Sequence, residues 1–437
     1  MTKATDTNSL LGITISDGTT QTTYTPENNT STTDNPIVLP VENQSFADIG
    51  MSVPPTTNSI TLNELIGAPN NYWGDDDGDG QGVNGVTATG SLSVTITDKN
   101  GQSVSRDTVL SLCDKAPYKV ELTSTSGSLT TQYGLPSSTN FSGGTAIYYI
   151  SPKEAPKICY AAPNLAMGEN TGFIPGWYFA GPTTIWNPDK GFLTQSNTPS
   201  SYGLNFPTTG INRAHFDLQI DGIDASKLTW PAVTRDGITA TMTPTDNKSN
   251  TIRVTLTGPA VTAEQTNLDS PGALRAPILP QTFELVGYNS SNVAIVKYGF
   301  VLKKWFVMRT GLLRGDSAKY YDTYPKMLSW CTGLGSGYRL TQVKDLTNSV
   351  CSGAGSTNSL CQGAIGATPS SSGNHYQRNI DAGLLAEWGN LSPIVVTNYG
   401  SWASDGSGPD RFIVDGLHGN VHSRSPDLDS AGYCVYP

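Results

Sequence analysis

The chain has 437 residues, of which 36% are hydrophobic and only 14% charged, and its formal net charge is −10 at pH 7. Affinity for nucleic acid rests on clustered Lys and Arg, and a chain this acidic without such clusters is not built to hold phosphate backbones. At this length two to four domains are expected, and abundant Gly, Ser, Thr and Asn with short alternating runs point to a mainly β protein. No apolar run reaches the ~20 residues needed to cross a bilayer as a helix, so direct membrane insertion by these residues is not expected. The start "MTKATDTNSLLG" lacks the apolar core of a secretion signal, which leaves a cytoplasmic protein or a piece of a longer exported one.

Residues 1–59 are rich in Thr, Asn and Ser with scattered proline, as in "TTYTPENNTSTTDNP". They are expected to form a linker or the remnant of a preceding repeat, although strand-like pieces such as "GITIS" allow a place in a neighbouring β domain. Next comes "WGDDDGDGQG", in which Asp75, Asp77 and Asp79 alternate ahead of Gly80. Hard oxygen donors at positions one, three and five with glycine at six suit a structural Ca²⁺. The twelfth position, which a bidentate Glu would occupy, is Val86, so the loop is read either as a calcium site completed from elsewhere or as a solvated acidic turn.

From Ser91 to Thr257 the hydrophobic period is two: Leu92, Val94, Ile96; Tyr118, Val120, Leu122; Phe216, Leu218, Ile220; Ile238, Ala240, Met242; Ile252, Val254, Leu256. Each run has one buried and one wet face, and the turn-rich segments between them favour antiparallel β-sandwiches. The reading is a β-sandwich-like region over 60–163, a second β-rich region over 164–300 that could share a sheet system with the first, and an α+β segment over 301–437. In that last segment Thr341 is expected to cap a helix whose Val343, Leu346 and Val350 share a face, and Asn379 to cap a second burying Ile380, Leu384, Leu385 and Trp388.

Six cysteines, Cys113, Cys159, Cys331, Cys351, Cys361 and Cys434, include no C-x-x-C pair. They read as three disulfides of an exported protein, with fifteen connectivities open, or as buried thiols in a reducing compartment. His418 and His422 are four apart in "HGNVH", but in strand-like sequence they share a face at too great a distance to share one ion, and no third ligand is evident. A polar rim of a binding face fits them better. The sequence contains no G-x-S-x-G, H-E-x-x-H or Gly-Lys-Ser/Thr phosphate loop, so it is not read as an enzyme.

The elements "WCTGLGSGYRLTQVKDLTN", "IDAGLLAEWGN" and the terminal "GYCVYP" resemble the C-type-lectin-like module at the tips of bacterial invasin- and intimin-type adhesins, over roughly the last third of the chain. "TPSSYGLNFPTTG", "LTWPAV", "VTLTGP" and "LPQTFELVG" look like the β-rich region preceding such modules in large enterobacterial surface proteins. The resemblance implies that the module's first and last strands pair and that a long disulfide, Cys331–Cys434, ties them; Cys351–Cys361 then closes a local loop and leaves Cys113–Cys159 in the β region. It implies loop residues Trp402, Asp415, His418 and Asn420 as the ligand-binding face, since mixed aromatic and polar loop side chains are the usual makings of recognition surfaces.

The calcium-coordinating Glu-Pro-Asn, Gln-Pro-Asp and Trp-Asn-Asp triplets of sugar-binding animal lectins are absent, which shifts the implied ligand to a host cell-surface protein or a glycan bound without calcium. The implied setting is the bacterial cell surface, as a monomeric module of a larger outer-membrane-anchored protein, or secretion. The competing readings are a secreted carbohydrate-active enzyme, which requires paired carboxylates in a groove, and a structural module whose Trp402 and His418 are packed away.

Overall fold

The computed structural model describes residues 7–66, 69–70, 85–132, 137–169, 177–245, 250–309, 321–335, 337–351, 361–391 and 400–437. The alternating runs become strands with the expected faces: Ser91–Thr97 and Tyr118–Ser124 bury every second side chain, with Leu92, Val94, Ile96, Tyr118, Val120 and Leu122 inside. The protein is mostly β, with several antiparallel sheets and few, short helices.

The chain divides into two compact units, Met1–Ala155 and Pro156–Pro437. In the first, Tyr118–Ser124 lies between Gly144–Ser151 and Ser91–Thr97 in a sheet whose edges are Ile37–Val38 and Ser59–Thr61. Residues 1–59 are therefore not a linker, as far as they are described. Ile13–Ser16 pairs with Gln21–Tyr24 and Gly50–Met51, and Leu10, Leu11, Ile13, Ile15 and Phe46 belong to the same core as Val120 and Tyr148. Strands of two to four residues are too short to show a convincing period, so the segment reads as low complexity.

The second unit has one continuous apolar core running from Ile158 to Val435, so the expected boundaries at 163/164 and 300/301 do not separate independent cores. One sheet runs, in spatial order, Trp186–Asn187, Gly191–Leu193, Lys157–Ala162, His215–Asp221, Thr251–Thr257, Ile238–Pro244, Val233–Arg235. Gln281–Tyr288 and Ala294–Leu302 form a long ribbon. The other large sheet places Thr209–Ile211 parallel to Lys304–Met308, then Ala431–Tyr436, Ser401–Ser407, Asp410–Val414 and Val421–Arg424. Lys304–Met308 and Ala431–Tyr436 pair antiparallel, Trp305 opposite Tyr436 and Met308 opposite Tyr433.

Cys331, buried in the helix Tyr324–Gly333, is bonded to Cys434 on that final strand, and Cys351 is bonded to Cys361. Cys113 and Cys159 are disulfide-bonded as well, and no cysteine is free.

The two helices expected after residue 340 are single turns. Val343–Leu346 is preceded by Gln342, not capped by Thr341; Asp345 accepts from the Gln342 N–H at 2.9 Å and Asp405 from the Val343 N–H at 3.0 Å. It stops at Thr347, whose backbone is already extended, and beyond it the Asn348 amide donates to Pro369 O and Gln377 O. Leu384–Trp388 starts after Gly383, at φ 94°, and Asn379 lies upstream of it. That turn is anchored by Glu387, whose carboxylate is buried and accepts from both the backbone N–H and hydroxyl of Thr208 and Thr209 and from the Asp381 N–H. Burial pushes this carboxyl above its ordinary range while those donors pull it back.

Candidate recognition face

The residues expected to bind ligand do not lie together on a surface. Trp402 is 0% exposed: its indole N–H donates to Asp322 O at 2.9 Å and its ring packs edge-on against Tyr324, with centroids 5.7 Å apart. It belongs to the core, and the expectation of a binding role is corrected. The reason is register, since Trp402 pairs with Ile413 in mid-sheet, inside the strand Ser401–Ser407. Trp402→Phe should therefore cost about 1 kcal/mol for the lost buried hydrogen bond, plus any packing loss, readable as a lower denaturation midpoint. Ligand affinity per folded molecule should stay unchanged.

Asp415, His418 and Asn420 are close to one another in the connection between Asp410–Val414 and Val421–Arg424. Asp415 Oδ1 accepts from the N–H groups of Leu417 and His418 at 3.0 and 2.8 Å, and the His418 ring stands 3.3 Å from the same oxygen. Burial alone would raise the Asp415 carboxyl; these contacts prevail and hold it below the usual carboxylate range. Asn420 reaches the His422 ring through its side-chain amide. His418 and His422 thus have separate partners, and no group of three metal-ligating side chains is found among the described residues. Asp75, Asp77 and Asp79 lie outside the described residues.

What the sequence reading missed is the partner of this loop. In "WYF" at 177–179 the side chains alternate, Tyr178 outward and 50% exposed, Trp177 half-buried and Phe179 buried. Trp177 stacks on His375 with centroids 5.2 Å apart and 12° between planes, and meets His418 edge-on at 5.6 Å; Phe179 packs on both imidazoles at 5.3 and 5.9 Å. Backbone bonds fix the arrangement, Tyr178 N–H donating to His375 Nε2 at 3.2 Å and Tyr376 N–H to His418 O at 2.9 Å. The clue was present in sequence as three consecutive aromatic residues with a period of two, but their contact with His375 and His418 spans about half the chain.

Behind the face, Arg378 is buried with no carboxylate partner among the described residues. It donates to the backbone carbonyls of Asn164, Ala166 and Glu387 and lies over the Trp186 ring, 4.7 Å from its centroid. Gly389, at φ 71°, packs so closely that any Cβ would strike this guanidinium.

Burial holds the His375 pKa below its ordinary value, with the His418 charge a smaller contribution, and burial also lowers His422, against the pull of Asp415. A histidine kept neutral by folding binds fewer protons folded than unfolded near its unfolded pKa of ~6.5, so stability is lost as pH falls through and below that value. Asp415, with its carboxyl lowered, loses its contribution only near and below the ordinary carboxylate range, so the two windows separate. The thermal midpoint should drop between about pH 7 and pH 5, and His375→Phe should flatten that slope. An unchanged slope in the variant would remove His375 from the account.

Fold and site define a mainly β, disulfide-braced chain whose second unit presents a partly exposed aromatic and histidine face built from distant segments. No protein-family model and no curated protein matches the sequence. Among solved structures the chain is similar to the C-terminal 282-residue fragment of intimin in complex with the intimin-binding domain of the translocated intimin receptor, at 11% identity and TM-score 0.32, covering 80% of this chain and 93% of that one. It is also similar to an intimin mutant of EHEC O157:H7, at 11% identity and TM-score 0.27, over 53% of this chain and 89% of that one. Both likenesses are remote.

Proposed function

We propose that this chain is part of a bacterial surface adhesin and that its second unit binds a host cell-surface protein through Trp177, Tyr178, His418 and the loop at Asp415 and Asn420. One observation carries the reading. The motifs behind the adhesin resemblance meet in space: Leu340 of "GYRL" pairs with Cys434 of "GYCVYP", the strands Lys304–Met308 and Ala431–Tyr436 pair, and Cys331–Cys434 ties the helix Tyr324–Gly333 to that last strand. Register and bonding of this kind support the module that the resemblance implies.

The face suits a protein partner. Tyr178 offers an amphipathic ring at low entropic cost, and its backbone is already fixed by His375. Presentation would be rigid, with an upstream anchor holding the chain at the cell surface.

The test is binding of the oxidised chain to an array of host-surface proteins, followed by variants. Tyr178→Ala and His418→Ala should each weaken the interaction roughly tenfold or more, the range of interface hot spots, with little change in thermal midpoint for Tyr178→Ala. Binding that survives both substitutions would remove this face from the proposal, and a chain that binds no array member would sink the adhesin reading.

A further inference from the structure

A second, independent feature lies in the same unit. The strands His215–Asp221 and Thr251–Thr257 pair with Asp217 opposite Arg253. Their inner side chains, Phe216, Leu218, Ile252 and Val254, are buried, so His215, Asp217 and Arg253 share the outer face. Sheet faces of this kind are ordinarily covered only by water. Here Pro163 and the stretch reaching Leu391 rise beside it and enclose a cleft of about 260 Å³, with Trp388 contributing to the lining. That is slightly below the range of sites for drug-sized ligands, which limits an occupant to a single small ring.

The chemistry of the lining is specific. Arg253 grips Asp217 in a two-pronged contact, Nε to Oδ1 at 2.8 Å and Nη2 to Oδ2 at 2.9 Å. The formal charges cancel, so neither a phosphate nor an ammonium group gains from entering. The fork leaves Arg253 Nη1 without a partner among the described residues, and the imidazole of His215 likewise has none. Each Asp217 oxygen retains lone-pair capacity beyond the bond that it accepts. The cleft therefore offers adjacent donors and acceptors along one edge and an apolar boundary at Pro163 and Leu391. Vicinal hydroxyls, each able to donate and accept, on a ring with apolar C–H faces are the complement of that pattern.

We infer that this cleft binds a neutral pyranose unit of a glycan, at a site separate from the aromatic and histidine face. Affinity for one free ring should be on the order of millimolar, given the few atoms that can make contact.

Saturation-transfer NMR titration of the whole chain with the methyl pyranosides of glucose, galactose, mannose and N-acetylglucosamine tests this directly, with acetate and methyl phosphate, whose methyl protons report binding, run alongside. Saturable transfer is expected from at least one pyranoside and from neither anion. His215→Ala, which removes a ring without partners and so leaves the fold intact, and Arg253→Gln should each weaken that binding at least fivefold. Tyr178→Ala should leave it unchanged. Absence of saturable transfer from all four sugars, binding indifferent to His215→Ala, or preferential binding of an anion would each overturn the inference. Loss of sugar binding in Tyr178→Ala would instead merge the two sites.

Discussion

Glu387→Ala is expected to lower the stability of the second unit by about 4 kcal/mol or more, and Glu387→Gln by about 3 kcal/mol. The carboxylate is fully buried and collects five donors, three of them backbone N–H groups of Thr208, Thr209 and Asp381. Removing the acceptor strands those donors where water cannot replace it, and each buried unsatisfied donor costs about 1–3 kcal/mol. Glutamine keeps one oxygen but turns an amide N–H₂ towards the donors of Thr209. The hydroxyl can rotate to accept; the backbone N–H cannot.

The same carboxylate also ties two remote parts of the chain, 208–209 and 381–387, whose neighbours Phe206 and Trp388 pack edge-on in the core with centroids 4.9 Å apart. The measurement is urea unfolding of the oxidised chain: a lower midpoint with unchanged slope reports stability alone. A Glu387→Gln midpoint within about 0.5 kcal/mol of the parent would mean that the donors find other acceptors.

How far the sequence goes towards this molecule depends on range. Alternation over seven residues places Leu92 through Ile96 and Ile252 through Leu256 inward, because a period of two leaves one face no alternative. It is weaker for Ile13–Ser16, where "GITIS" reads only as a strand-like piece, and it fails for Ile37–Val38, a strand too short to carry a period and placed by pairing with residues about a hundred positions away. The single-turn helices fail for a different reason. Asp345, Asp405 and Asn348 spend their polar groups on tertiary partners, so local propensity is overridden.

The site divides in the same way. Asp415, His418 and Asn420 are neighbours in sequence and are found by looking at one loop. Trp402 sits close to them in sequence but is turned inward by its register in the sheet. Trp177, Tyr178 and His375 join the face only through contacts between segments that no local rule connects.

Replacing both cysteines of the long bridge, Cys331→Ala with Cys434→Ala, is expected to cost about 4–5 kcal/mol, from the chain entropy released when a loop closed over a separation of 103 residues is opened. Removing Cys351–Cys361, with a separation of 10, should cost about 2–3 kcal/mol by the same relation. The ordering of the two costs is the sharper expectation, since strain and residual unfolded structure affect single values more than their rank.

The long loop contains His375, Asp415, His418 and Asn420, whereas Trp177, Tyr178 and Phe179 lie outside it. Opening the bridge therefore lets the two halves of the face separate whenever the last strand frays from Lys304–Met308. Partner binding by the double variant should match the parent at low temperature, where it remains folded, and should fall off several degrees earlier on warming. If binding and unfolding midpoints shift together, the bridge acts through stability of the module. Binding lost well below the unfolding transition would mean that the bridge holds the face itself in register.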